Sequence, residues 1–130
     1  MDKSNLIMKH ECYNIIGICM EVHRILGRGL REVVYKDAME YEFKTKKIPF
    51  EREKEFCVEY KEIILKHNFY ADFVVYDNLI LEIKACDFIH DEFIPITLNY
   101  ISIAKSPLGL IINFGSPSLE YKRVINSDHL

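Results

Sequence analysis

The chain begins with a helical hydrophobic period. Across residues 9–26, Ile15, Ile16, Cys19, Val22, His23 and Leu26 recur at three- and four-residue spacings, which puts them on one face of a helix. Gly27-Arg28-Gly29 ends it, since glycine accepts the backbone in which helices commonly stop. A second helix is predicted over 31–46, with Val34, Tyr35, Ala38, Met39 and Tyr41 inside. Its end carries Lys44, Lys46 and Lys47, the sign that suits a helix C-terminus, and Pro49 bars continuation.

After Pro49 the period falls to two. Phe56, Val58 and Tyr60 alternate with Cys57 and Glu59, as in a half-exposed strand, then Lys61-Glu62 turns into a return strand at 63–66. Residues 69–76 and 79–85, flanking Asp77-Asn78, read as a hairpin rich in Val, Ile, Leu and aromatics. A third helix is predicted over 91–105, with Pro95 tolerated in its first turn and Ile94, Leu98 and Ile101 inward. Residues 108–114 are nearly all apolar, as in a strand covered on both faces, and 121–125 form a last edge strand after Gly115-Ser116-Pro117. The order predicts an α/β fold, helices flanking one central mixed sheet, with a domain at 9–126 between short tails at 1–8 and 127–130.

Composition narrows the function. In 130 residues, 49% hydrophobic and 28% charged content excludes a disordered chain. A net charge of −3 excludes a strongly basic nucleic-acid coat but not a local basic groove. Lys44, Lys46, Lys47, Arg52 and Lys54, with Lys122-Arg123, could steer phosphates or simply be solvated edges. No apolar run approaches the ~20 residues that span a bilayer, and the first residues lack a signal-peptide core, so no membrane role and a cytoplasmic location are expected. Cys12, Cys19, Cys57 and Cys86 form no CxxC pair and read as buried reduced thiols. GxSxG, P-loop, GxGxxG and HExxH motifs are absent.

The informative residues are charges inside apolar strands. Asp72 interrupts Phe69-Tyr70-Ala71-Asp72-Phe73-Val74-Val75-Tyr76, and Glu82 and Lys84 interrupt Leu79-Ile80-Leu81-Glu82-Ile83-Lys84-Ala85. Such charges are costly to desolvate unless paired or bound to a metal. One reading makes them the polar outer face of an exposed sheet. The other makes Asp72, Glu82 and the backbone carbonyl of Ile83 hard oxygen ligands for Mg²⁺ or Mn²⁺, with Lys84 stabilising charge on a phosphate. Register separates the two. A two-residue turn at Asp77-Asn78 would put Asp72 and Glu82 on opposite faces, whereas a three-residue loop at 77–79 would put Asp72, Glu82 and Lys84 on one face. The metal reading therefore predicts a three-residue loop or a bulge.

This constellation resembles the PD-(D/E)xK nuclease superfamily, and more narrowly the GxxExxY proteins. The second motif stands as Gly29-Leu30-Arg31-Glu32-Val33-Val34-Tyr35, and the superfamily core as Tyr70-Ala71-Asp72-Phe73 and Leu81-Glu82-Ile83-Lys84-Ala85. Leu98-Asn99-Tyr100 and Gly109-Leu110-Ile111-Ile112-Asn113-Phe114-Gly115 extend the resemblance over about 10–125. It implies a restriction-endonuclease-like core and Mg²⁺- or Mn²⁺-dependent phosphodiester hydrolysis of DNA or RNA. Asp72 and Glu82 would hold the metal, Lys84 and Glu32 would act in catalysis, and Tyr35 and Tyr100 would contact substrate; the alternatives are a first-turn carboxylate for Glu32 and packing for Tyr35.

One position departs from the family. Where the family's helix carries a site-facing Gln, this chain has Ile96; His90, Asp91 and Thr97 lie close enough in sequence to replace it. A second function therefore stands beside the enzyme: a catalytically degenerate nuclease fold that binds nucleic acid or protein, with a homodimer extending its reach. A third, membership of a larger complex, predicts an exposed apolar patch near the third helix.

Overall fold

The structure, a computed structural model, describes residues 7–129. The expected N-terminal tail, apart from residues 7 and 8, and Leu130 of the C-terminal tail lie outside them. Helix α1 (Lys9–Leu26) and helix α2 (Glu32–Thr45) precede strand β1 (Phe50–Phe56), a small hairpin of β2 (Glu59–Tyr60) and β3 (Ile63–Ile64), and the long pair β4 (Phe69–Val75) and β5 (Leu79–Lys84). Helix α3 (Phe93–Ile103), β6 (Leu108–Asn113), β7 (Glu120–Ile125) and a short 3₁₀ turn (Ser127–His129) complete the chain. The main sheet is ordered β1-β4-β5-β6-β7, antiparallel except for β5 and β6, which run parallel with α3 as their crossover. This is the mixed α/β architecture expected.

Two apolar layers sandwich the sheet. On one face Cys12, Ile15, Cys19 and Val22 of α1 and Tyr35, Met39 and Phe43 of α2 cover Phe73, Leu81, Ile83, Leu110 and Ile112. On the other, Ile101 of α3 covers Ala71, Val74, Ile80, Ile111 and Val124. Strand β6 is buried along its whole length, as its apolar run predicts. Gly109 lets α3 lie close: a Cβ there would sit 2.8 Å from the Thr97 methyl and 2.9 Å from that of Ile101.

Four expectations need correction. The first main strand is Phe50–Phe56, not the segment around Val58, and 59–64 form a separate hairpin with Tyr60, Ile63 and Ile64 exposed. The inner face of α2 is Tyr35, Lys36, Met39 and Phe43, while Tyr41 points outward. Cys12 and Cys19 are buried free thiols, but Cys57 is exposed and Cys86 half-buried. Helix α3 buries Thr97 and Ile101 but leaves Leu98, expected inward, exposed along with Ile96 and Ile103.

Candidate active site

The loop between β4 and β5 has three residues, 76–78, one earlier than the loop predicted from the metal reading. The register runs Val75↔Leu79, Val74↔Ile80 and Phe73↔Leu81. Continued by one step it would set Asp72 opposite Glu82, but the ladder stops before that rung. What places the two carboxylates near each other is that Glu82 lies within the field of Asp72. Tyr76 and Asp77 take left-handed backbone, φ 51° and 65°, to close this loop.

Pairing stops at Phe73↔Leu81, and Asp72 fills the gap that follows. Its Oδ2 accepts the Ile83 N–H at 2.7 Å, in the role a strand carbonyl would otherwise have. The same place is irregular on the other side. The β1–β4 ladder pairs Arg52↔Phe73 and Lys54↔Ala71 but omits Glu53 and Asp72, and Glu53 has φ 54°. Facing reverses there. Phe73 and Val75 meet α1 and α2, yet Ala71, two residues before Phe73, meets the α3 layer. Arg52 likewise lies over the Phe73 ring, whereas Lys54 lies over Phe56. Left-handed backbone is costly for a non-glycine residue and persists only where the surroundings enforce it.

Lys36 bridges the two residues at this rung. This lysine of α2 is 7% exposed. Its ammonium hydrogen-bonds Asp72 Oδ1 at 2.9 Å and also binds Glu53 Oε1. Burial alone would lower its pKa, but the bonds to Glu53 and Asp72 outweigh that and raise it. Lys36 is therefore a fixed cation.

Glu82 is 6% exposed, and its Oε1 has no hydrogen-bond partner. Burial and then the Asp72 charge push its pKa up to about 8, against the pull of Lys84 and Lys36. Lys84 is half-buried with Nζ 4.6 Å from the centre of the Phe93 ring on α3. Glu32, exposed in the first turn of α2, contributes to the field at Cys86, two residues beyond Lys84, so it sits at the same end of the sheet.

A buried clamp holds that end. Asn113 Oδ1 accepts the N–H of Cys86 at 2.9 Å and of Gly115 at 3.1 Å; its Nδ2 donates to Cys86 O at 2.9 Å and Glu120 Oε1 at 3.0 Å. Gly115 permits the approach, since a Cβ there would lie 2.1 Å from the Cys86 carbonyl oxygen.

The two tyrosines differ in setting. Tyr35 is fully buried, stacks on Phe114 at 4.5 Å, and its hydroxyl donates to Gly27 O at 2.7 Å and accepts the Leu30 N–H. It pins the glycine loop between α1 and α2. Tyr100 stacks on Phe69 at 4.2 Å. Ile96 is exposed on α3, and of its suggested replacements Thr97 is buried against Gly109 while His90 lies 3.4 Å from Asp87. Lys36 and Glu53 were not foreseen. Lys36 carried a signal, because it precedes Met39 by three and Phe43 by seven and so falls in the buried helical stripe. Nothing in the sequence marks Glu53.

Chemically, the pair can accept a hard cation. Asp72 uses two of the about four lone-pair positions of a carboxylate, and Glu82 Oε1 uses none. Among the described residues no three His, Cys, Asp or Glu side chains gather closely enough to hold a metal ion alone. An ion here would complete its shell with backbone oxygen and water. A groove of about 550 Å³ beside Tyr13, Gly17, Lys46 and Tyr76 lies elsewhere.

No curated protein and no solved structure shows a significant match to this chain. Its sequence does match a family model, described as the PD-(D/E)XK nuclease superfamily, over residues 9–124. Members of that superfamily typically use divalent metals, and no helix among the described residues is long and apolar enough to cross a membrane. With the ordered motifs, the mixed sheet and the match agreeing over nearly the whole length, the chain belongs to the PD-(D/E)XK nuclease superfamily.

Proposed function

We propose that this protein is a metal-dependent nuclease of the GxxExxY type, hydrolysing phosphodiester bonds of nucleic acid. The observation that carries the reading is Glu82: a carboxyl buried beside Asp72 with an oxygen that no protein group satisfies. An orphaned buried carboxylate is expensive, and a cation is the partner that removes the cost. Asp72, Glu82 and the Ile83 carbonyl would hold Mg²⁺ or Mn²⁺, which would supply Lewis acidity and an activated water.

The chain's own groups divide the remaining work. Lys84, on the strand that carries Glu82, places positive charge where a phosphate gains negative charge. Phe93 and the Asn113 clamp on Cys86 restrict where that ammonium can go. Glu32 faces the same end and orients water. Tyr100 offers a ring to a base, whereas no substrate contact is proposed for the buried Tyr35. A homodimer would give a small protein two sites along one nucleic acid.

A second reading, a binding module without catalysis, draws on the exposed Ile96 and on the engagement of Asp72 by Lys36. One assay separates them: plasmid and single-stranded substrates incubated with millimolar Mg²⁺ or Mn²⁺ and wild type, Asp72→Asn or Glu82→Gln. We expect cleavage by wild type and a loss of at least about 100-fold in either variant, the scale on which one transition-state contact is felt. Retention of nucleic acid without cleavage would establish the module instead.

A further inference from the structure

We propose that Lys36 is a resident cation standing in the place of a second metal ion, so that the site takes one divalent ion and no more. The inference rests on the metal-site reading above and adds a residue and a stoichiometry to it.

The geometry is particular. Lys36 reaches from α2 to the point where the sheet reverses its facing, and both of its partners are out of the regular ladder. Glu53 adopts left-handed backbone, φ 54°, and Asp72 turns one oxygen to the ammonium and the other to Ile83 N–H. Two strands therefore distort at one rung to present carboxylates to one cation. A lysine that merely solubilised α2 would not be 7% exposed with two acidic partners.

The charges then decide the count. Glu53, Asp72 and Glu82 supply three negative charges when all are ionised, and Lys36 and Lys84 supply two positive ones. One divalent ion leaves the cluster at about +1; a second would leave about +3 beside the buried Lys36, which is unfavourable. The acidic groups are also arranged for different cations. Glu53 and Asp72 meet at the ammonium, while Glu82 Oε1, adjacent but unpartnered, is left for an ion shared with Asp72. With the ammonium gone, Glu53 and Asp72 become two free hard-oxygen donors, the start of a second site.

The test is calorimetric titration of the full chain with MnCl₂ alone, checked by the melting temperature with and without Mn²⁺. Wild type is expected to bind one ion, Lys36→Met two, and the double variant Lys36→Met/Glu53→Gln one again. Two ions in wild type, or one in folded Lys36→Met, would overturn the role of Lys36 while leaving the metal site standing. No Mn²⁺ bound by any of the three would overturn the metal-site reading itself and this inference with it. If Lys36→Met does not fold, Lys36→Gln replaces it with the same expected count of two, and one ion in that variant overturns the role. Glu53→Gln alone, expected to keep one ion, overturns the role if it binds none, because Glu53 would then be a ligand of the single ion.

Discussion

Glu82 shows most directly how one residue couples fold and chemistry. Its carboxyl is held near pKa 8 by burial and by Asp72, against an ordinary value of 4.5. In that interval the folded protein keeps a proton that the unfolded chain releases. Its contribution to stability is thus fully present below the ordinary pKa and is lost as pH rises through the folded value. Without divalent metal, stability should fall between about pH 5 and pH 8, by at most about 1.4 kcal/mol per pH unit. Glu82→Gln should flatten that decline and be the more stable protein at pH 8, as urea unfolding at pH 5, 6.5 and 8 would show. An equal decline in both proteins would assign the proton elsewhere. The three charges of the site were readable from the chain because each breaks an apolar run. Their approach to one another was readable only as a condition, a three-residue loop or a bulge, since a one-residue change of register moves a side chain to the other side of the sheet. Lys36 and Glu53 were harder for a physical reason. The place of Lys36 in the helical stripe hints at burial but not at its partners, and nothing among the sequence neighbours of Glu53 marks its left-handed backbone.

The elements were predicted best where burial is two-sided. Strand β6 and the β4–β5 hairpin carry long apolar runs, and their bounds differ from expectation by a residue or so. Strand β1 escaped because Phe50-Glu51-Arg52-Glu53-Lys54-Glu55-Phe56 is mostly charged. Between Phe50 and Phe56 its half-buried positions are filled by Arg52 and Lys54, whose charged ends lie over aromatic rings and pair with Asp37, Glu40 and Glu51. A binary apolar–polar pattern cannot see such a strand. The close approach of the β5 and β6 ends is equally invisible in pattern, yet it sets the position of Lys84. Gly115→Ala should therefore cost roughly 3 kcal/mol, at the upper end of the overpacking range, because its Cβ would collide with main chain at Cys86. Gly109→Ala meets side-chain methyls of Thr97 and Ile101 and should cost less, about 1–2 kcal/mol. Urea denaturation of both variants checks the order; a neutral Gly115→Ala would mean that the two strand ends are not locked together.

On the scale of the whole molecule, charge pairing decides how a protein of net charge −3 can meet a polyanion. The basic residues that looked like a phosphate-steering cluster are mostly taken: Lys44 pairs with Glu40, Lys46 with Glu42, Arg52 with Asp37, and Lys54 with Glu51. Lys36 is enclosed by Glu53 and Asp72. Exposed pairs of this kind add little to stability, but they cancel the field that would draw DNA or RNA from a distance. Few phosphates can then be neutralised, and each one neutralised contributes about −0.9 to the slope of log affinity against log salt on duplex DNA. For the metal-free protein we expect weak duplex binding with a slope no steeper than about −2, measured by fluorescence anisotropy between 50 and 200 mM salt. Adding Mg²⁺ should strengthen binding by Glu82→Gln far less than by wild type, because the variant lacks the carboxylate that would help hold the ion against the phosphate. A slope near −6, or equal Mg²⁺ dependence in the two proteins, would place the nucleic-acid contact on another surface and leave Asp72 and Glu82 outside it.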